Sequence, residues 1–163
     1  MVKIFRKVNG DVVDVVTHTL DVLNECPWAD VHIGTDSQNH KRYTTYVIVI
    51  AYRYGTRGVH FIYNKARIPK IRDKWTRLWK EAEMTIEVAQ WLRKQLNVNI
   101  QLDLDYNLDT KHFSNGLVVP TNGWATSLGF KVNFKPNSQI ATWAADHLCK
   151  TGVGRSRSMA MTK

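Results

Sequence analysis

The segment Tyr43–Tyr54 is rich in β-branched and aromatic residues and almost continuously apolar at its centre. A strand with one wet face alternates apolar and polar side chains, whereas one that does not alternate is covered on both faces. Any fold for this chain must therefore cover a sheet on both sides. The neighbouring segments supply the rest of that sheet and its cover. Val31–Thr35 predicts a short strand ending at Asp36, and the polar run Ser37–Arg42 a turn. Gly55–Gly58 predicts a hairpin turn, and Val59–Ala66 the returning strand, ended by Pro69. Asp11–Leu23 predicts a helix, with Val13, Val16, Leu20 and Leu23 at helical spacing and Pro27 as its stop.

Asp73–Leu96 predicts the longest helix. In Asn99–Asn107, Ile100, Leu102 and Leu104 alternate with Gln101, Asp103 and Asp105, which predicts a strand. Leu108–Gly116 is a loop, Thr121–Gly129 a short helix, and Lys131–Phe134 a fifth strand. Ser138–Lys150 predicts a helix rich in small residues, with Ser138 as its cap. The first three strands can form an antiparallel meander. Those separated by helices lie parallel to the first, an α/β arrangement whose ligands bind beside the strand termini.

Carboxylates recur at those termini. Asp36 closes the first strand, where it is either a turn former or a functional acid. Glu81 is the only charged member of the stripe Leu78, Glu81, Thr85, Val88, Leu92 on the long helix. At 100° per residue, Glu83 and Glu87 lie roughly 200° and 240° from it and face solvent. The alternative for Glu81 is an ion pair with Arg77. Asp103 and Asp105 share one strand face, with Asp105 preferred because it is nearer the strand's end. Asp146 follows Ala141, Ala144 and Ala145 on a helix able to approach the sheet closely. Clustered carboxylates persist only when cations or protons compensate them.

The remaining charge points the other way. There are 23 Lys+Arg against 14 Asp+Glu, a formal charge of +9, which favours a polyanionic partner. Lys65, Arg67, Lys70, Arg72, Lys74, Arg77 and Lys80 lead into Glu81, interleaved with Trp75 and Trp79. Lys70, Arg72 and Lys74 are the candidate phosphate contacts, and either Trp can stack on a base or pack into the core. Two cysteines, Cys26 and Cys149, allow at most one disulfide, and no Cys/His cluster suggests zinc. His147 adjoins Asp146 but points about 100° away on a helix. Met1–Asp11 lacks the apolar run of a signal peptide, and no segment reaches the roughly 18 apolar residues of a membrane span, so a reducing cytoplasm is expected.

These segments together resemble the ribonuclease H-like fold, and most of all the YkuK-like family of bacterial ribonuclease H-like proteins. The residues that carry the likeness are Ile33–Gln38, Leu102–Asn107, Gly123-Trp124 with Gly129-Phe130, Lys135-Pro136 and Ala144–Asp146. The resemblance covers roughly Val12–Lys150. It implies a mixed five-stranded sheet of order 3-2-1-4-5 and membership of a superfamily of metal-dependent nucleases. It also implies catalytic and metal-holding roles for Asp36, Glu81, Asp105 and Asp146. Two Mg²⁺ or Mn²⁺ ions would be held, one by Glu81 and Asp105 and the other by Asp146, with Asp36 shared between them.

The leading expectation is a nuclease that hydrolyses phosphodiester bonds in RNA, RNA/DNA hybrid or branched DNA. A non-catalytic nucleic-acid-binding module on the same scaffold is the second, and an interaction protein with a structural metal site the third. Residues 1–150 are expected to form one domain. Residues 151–163, with Arg155, Arg157 and Lys163, form a basic tail expected to be mobile.

Overall fold

The computed structural model describes residues 3–137 and 139–151. Seven strands and four α-helices follow in the order β1 (Phe5–Arg6), β2 (Val12–Val13), α1 (Val15–Glu25), β3 (Asp30–Asn39), β4 (Tyr43–Arg53), β5 (Val59–Pro69), α2 (Lys74–Gln95), β6 (Ile100–Asn107), α3 (Val118–Ser127), β7 (Lys131–Lys135) and α4 (Ile140–Lys150). The strands form one sheet of order β2-β1-β5-β4-β3-β6-β7. The five expected strands are β3–β7, and they hold the order 3-2-1-4-5. The expectation of five strands is corrected to seven by two two-residue strands on the far side of β5. Arg6 pairs with Tyr63, so β1 shields part of the β5 edge that would otherwise lie open.

β3, β4 and β5 are antiparallel neighbours, and β6 and β7 run parallel to β3. Every residue from Thr44 to Tyr52 is buried, as the unbroken apolar run requires. Ile48, Ile50 and Tyr52 join a core shared with α1, α2 and α3. Val47, Val49 and Ala51 alternate to the opposite face, under Ala141, Ala144 and Ala145 of α4. The long helix α2 starts where Asp73 accepts from the Thr76 amide at 2.8 Å, a cap that stabilises by about 1 kcal/mol.

Four expectations about local structure change. The first helix begins at Val15, capped by Asp14, because Val12 and Val13 pair with β1. Its inner residues are accordingly Val15, Thr19 and Val22. Leu20 is exposed, and buried Thr19 is satisfied by Tyr52 Oη at 2.7 Å. β3 runs on to Asn39, since β4 pairs with it through Asn39↔Thr44, so Asp36 lies within a strand and not at its end. α3 begins at Val118, with Pro120 in its first turn, where a missing amide costs little. The last helix begins at Ile140 after Gln139; Ser138 and the tail 152–163 lie outside the described residues. Both cysteines are free thiols, and among the described residues no helix is long and apolar enough to cross a membrane.

Candidate active site

β3 and β6 run side by side from Val31↔Ile100 to Gly34↔Asp103, and there their pairing stops. Two residues further along each strand stand Asp36 and Asp105, one on either side of the parting. β6 is also irregular against β7 between Asp103 and Asn107, so Asp105 sits where the sheet is least regular. The helices close the gap from two sides. α2 brings Glu81 from one layer, and α4 brings Asp146 from the other. All four carboxylates line one cavity of about 330 Å³, together with Ser37 and Arg77.

Each helix is held there by specific contacts. The Tyr46 hydroxyl donates to Arg77 O at 3.0 Å, and that of Tyr106 to Leu78 O, so two buried tyrosines fix the rotation of α2 just before Glu81. Ser37 Oγ donates to Glu81 Oε1 at 2.5 Å. Arg77 does not form the ion pair with Glu81 that its i, i+4 spacing allowed. Its guanidinium instead donates to Ser37 O at 3.1 Å and Ser37 Oγ at 2.7 Å, and Ser37 relays the contact. Glu81 is buried, while Glu83 and Glu87 are exposed, as the helical geometry requires.

On the opposite face, α4 lies close because Gly34 has no side chain. A Cβ there would come within 2.9 Å of both Asp103 O and Thr142 Cγ2. Asp103, the second candidate on β6, is fully buried and engaged elsewhere. It accepts from the Ala141 amide at 2.9 Å and from Asn133 Nδ2 at 2.8 Å, and lies 3.0 Å from His32 Nδ1. It thus supplies the N-terminal cap that α4 lacks among its own side chains, and orients the helix that carries Asp146. The sequence reading missed this role, as it missed those of Tyr46 and Tyr106. In the sequence Ser138 reads as the cap of this helix, which hides the part played by Asp103.

The electrostatics follow from the crowding. Burial, then the nearby charges of Asp146 and Asp105, push the Asp36 carboxyl up to about 7. Burial and the charge of Asp36 hold Glu81 well above the usual carboxylate range. The other two acids have basic neighbours. Lys150 donates to Asp146 at 2.8 Å. Lys135 Nζ lies 2.6 Å from Asp105 Oδ1 but off the line of a hydrogen bond, which leaves that buried oxygen without an aligned donor. An all-carboxylate donor set matches hard, oxygen-seeking cations such as Mg²⁺ or Mn²⁺. Among the described residues, however, no three His, Cys, Asp or Glu side chains are drawn together tightly enough to form a ready ligand group.

The basic run before α2 divides. Lys65 is spent on Leu148 O at 3.1 Å, and Arg67 lies over the Tyr43 ring. Lys70, Arg72 and Lys74 are exposed. Their segment is pinned at Ile71, whose carbonyl accepts from Asn39 Nδ2 at 3.0 Å, and Asn39 lines the carboxylate cavity. Trp79 stacks on Trp124 at 5.7 Å within the fold, whereas Trp75 stays exposed. His147 lies 6.5 Å from the Trp143 ring, stacked along α4.

No curated protein matches the chain. The family model described as Ribonuclease H-like matches residues 11–150, a span that includes β3–β7 and all four carboxylates. The strand order beside that match leads to one assignment: the chain belongs to the ribonuclease H-like family.

Proposed function

We propose that this protein is a divalent-metal-dependent nuclease that hydrolyses phosphodiester bonds of nucleic acid. The observation that carries the reading is the convergence of Asp36, Glu81, Asp105 and Asp146, from four separate elements, on one cavity beside an exposed basic segment. Burial and the neighbouring acids raise the proton affinity of Asp36 and Glu81, and a cation would relieve that cost. These four residues would hold Mg²⁺ or Mn²⁺, which supplies water activation and stabilisation of the leaving oxygen when bound. Ser37 and Arg77 orient Glu81 toward the cavity. Lys70, Arg72 and Lys74 are placed to take substrate phosphates, and membership of a ribonuclease H-like family supports nucleic acid as the partner.

A second reading has its own support. Lys135 and Lys150 already sit against two of the acids, and among the described residues no ligand group is preformed. These contacts favour a nucleic-acid-binding module without catalysis. One experiment separates the two. Purified protein with Mg²⁺ or Mn²⁺ is offered RNA, an RNA/DNA hybrid and branched DNA. A nuclease cuts at least one of them and leaves 5′-phosphate and 3′-hydroxyl ends. EDTA and Asp36→Asn each remove the cutting, and Glu83→Gln on the outer helix face does not. Binding without cutting on all three substrates establishes the module instead.

A further inference from the structure

At the start of α2, two large aromatic side chains stand in the open. Trp75 keeps 41% of its surface exposed and Phe113 52%. They come from different elements, and their rings meet nearly at right angles, with centroids 6.5 Å apart and an interplanar angle of 80°. Burying them would stabilise the fold, so their exposure asks for another partner. The corner is braced. Gly116 lies under the Trp75 ring, where a Cβ would come within 3.1 Å of Cζ3, so the missing side chain lets the indole lie close against the loop. Lys74 Nζ sits over the Phe113 ring, 4.8 Å from its centroid.

The charge around the corner selects the occupant. Lys70, Arg72 and Lys74 are exposed beside it, and the first turn of α2 carries no acid. The carboxylate nearest in sequence, Asp73, is taken up by the Thr76 amide and hydroxyl. A neutral apolar ligand has no use for three cations. A planar ring attached to a phosphate uses both features, the aromatic face for the ring and a lysine for the phosphate. Two rings at right angles offer one flat face and one wall, which accommodates a single base and not a base pair. Lys74 precedes Glu81 by seven residues, so the corner lies about 10 Å along the helix from the carboxylate cavity. That is about three stacked-base steps.

We infer that Trp75 and Phe113, with Lys74, form a stacking site for an unpaired base of a single-stranded segment that leads to or from the carboxylate cavity. The site rests on the nucleic-acid reading above and narrows it to substrates with single-stranded character: single strands, overhangs or junctions.

The test is fluorescence anisotropy in EDTA, so that nothing is cut, with two labelled probes. One is a short single-stranded oligonucleotide; the other has the same sugar-phosphate backbone but abasic positions. Trp75→Ala and Phe113→Ala are each expected to weaken binding of the base-bearing strand about tenfold. Both should leave the abasic strand within about twofold, and Trp75→Tyr should restore the affinity. Equal weakening on both probes, or an unchanged Trp75→Ala protein, overturns the stacking site while leaving nucleic-acid binding intact. A wild-type protein that binds neither probe overturns the nucleic-acid reading, and this site with it. Thermal melting checks each variant; should Trp75→Ala unfold, Phe113→Ala, on a separate element, decides alone.

Discussion

Raising the pH through 7 forces a charge onto Asp36 in a space already shared with Asp105, Asp146 and Glu81. The folded protein holds the Asp36 proton up to about 7, whereas an unfolded chain releases it near the ordinary value of 3.8. Between those values the native state binds more protons, so this group's contribution to stability falls as pH rises and is lost above about 7. The metal-free protein should therefore melt at a higher temperature near about pH 5 than near about pH 8, and Asp36→Asn should flatten the difference. Mg²⁺ in excess should raise the melting temperature more at the higher pH, where the carboxylates are free to bind it. Equal pH slopes in the wild type and Asp36→Asn would contradict this account. A second contrast separates the two acids of β6. Asp103→Ala leaves the Ala141 amide and Asn133 without their acceptor and should cost about 2–4 kcal/mol in denaturant unfolding. Asp105→Asn, at the cavity, should cost far less stability and remove Mn²⁺ binding measured by calorimetry. Period-two spacing put both acids on one face, so sequence parity alone cannot choose between them. What divides them is where β3 and β6 part, a contact between segments far apart in the chain.

Elements were legible where their signal is local and misplaced where a partner sets their bounds. The run Tyr43–Tyr54 announced a doubly covered strand, and the stripe through Glu81 announced the inner face of α2. β3 outran its apolar core because β4 supplies hydrogen-bond partners as far as Thr44, and α1 gave up its first turn to the small strand pair β1–β2. Neither partner can be read from the segment itself. Gly34 is the point where one residue governs the approach of two elements. It falls inside the predicted strand Val31–Thr35, and it is the gap through which α4 reaches β3 and β6. Gly34→Ala adds one methyl where two atoms already lie within 2.9 Å, and overpacking of this kind costs about 1–3 kcal/mol. Relief requires β6 to shift from β3 and α4 to move outward, which carries Asp105 and Asp146 away from Asp36. Gly34→Ala should therefore weaken Mn²⁺ binding in calorimetry although it changes no candidate ligand. Thr142→Ser removes the methyl that the new Cβ would strike, so the double variant should recover part of both the stability and the Mn²⁺ affinity.

Across the whole molecule, opposite charges are kept apart by a short distance. The chain carries a formal +9, yet Asp36, Glu81, Asp105 and Asp146 gather at the parting of β3 and β6, and exposed cations lie on the segment that leads into α2. A polyanion drawn to the basic surface would be delivered to the edge of the acidic cavity, because Ile71 is tied to Asn39 and Asn39 lines that cavity. Composition made the attraction legible, but not its location, since Lys65 and Arg67 belong to the same run and are turned to α4 and Tyr43. Replacing Lys70, Arg72 and Lys74 together by Ala leaves a formal charge of +6, three less than the native +9, so general attraction survives. Bare affinity is therefore a poor readout, and the salt dependence is the informative one. Each phosphate that the protein no longer neutralises takes about 0.9 from the slope of log K against log salt on a duplex, less on a single strand. The triple variant should flatten the duplex slope by about 2–3, measured by anisotropy across a salt series, with folding checked by melting. An unchanged slope would place the phosphate path on another face of the molecule and detach the basic segment from the carboxylate cavity.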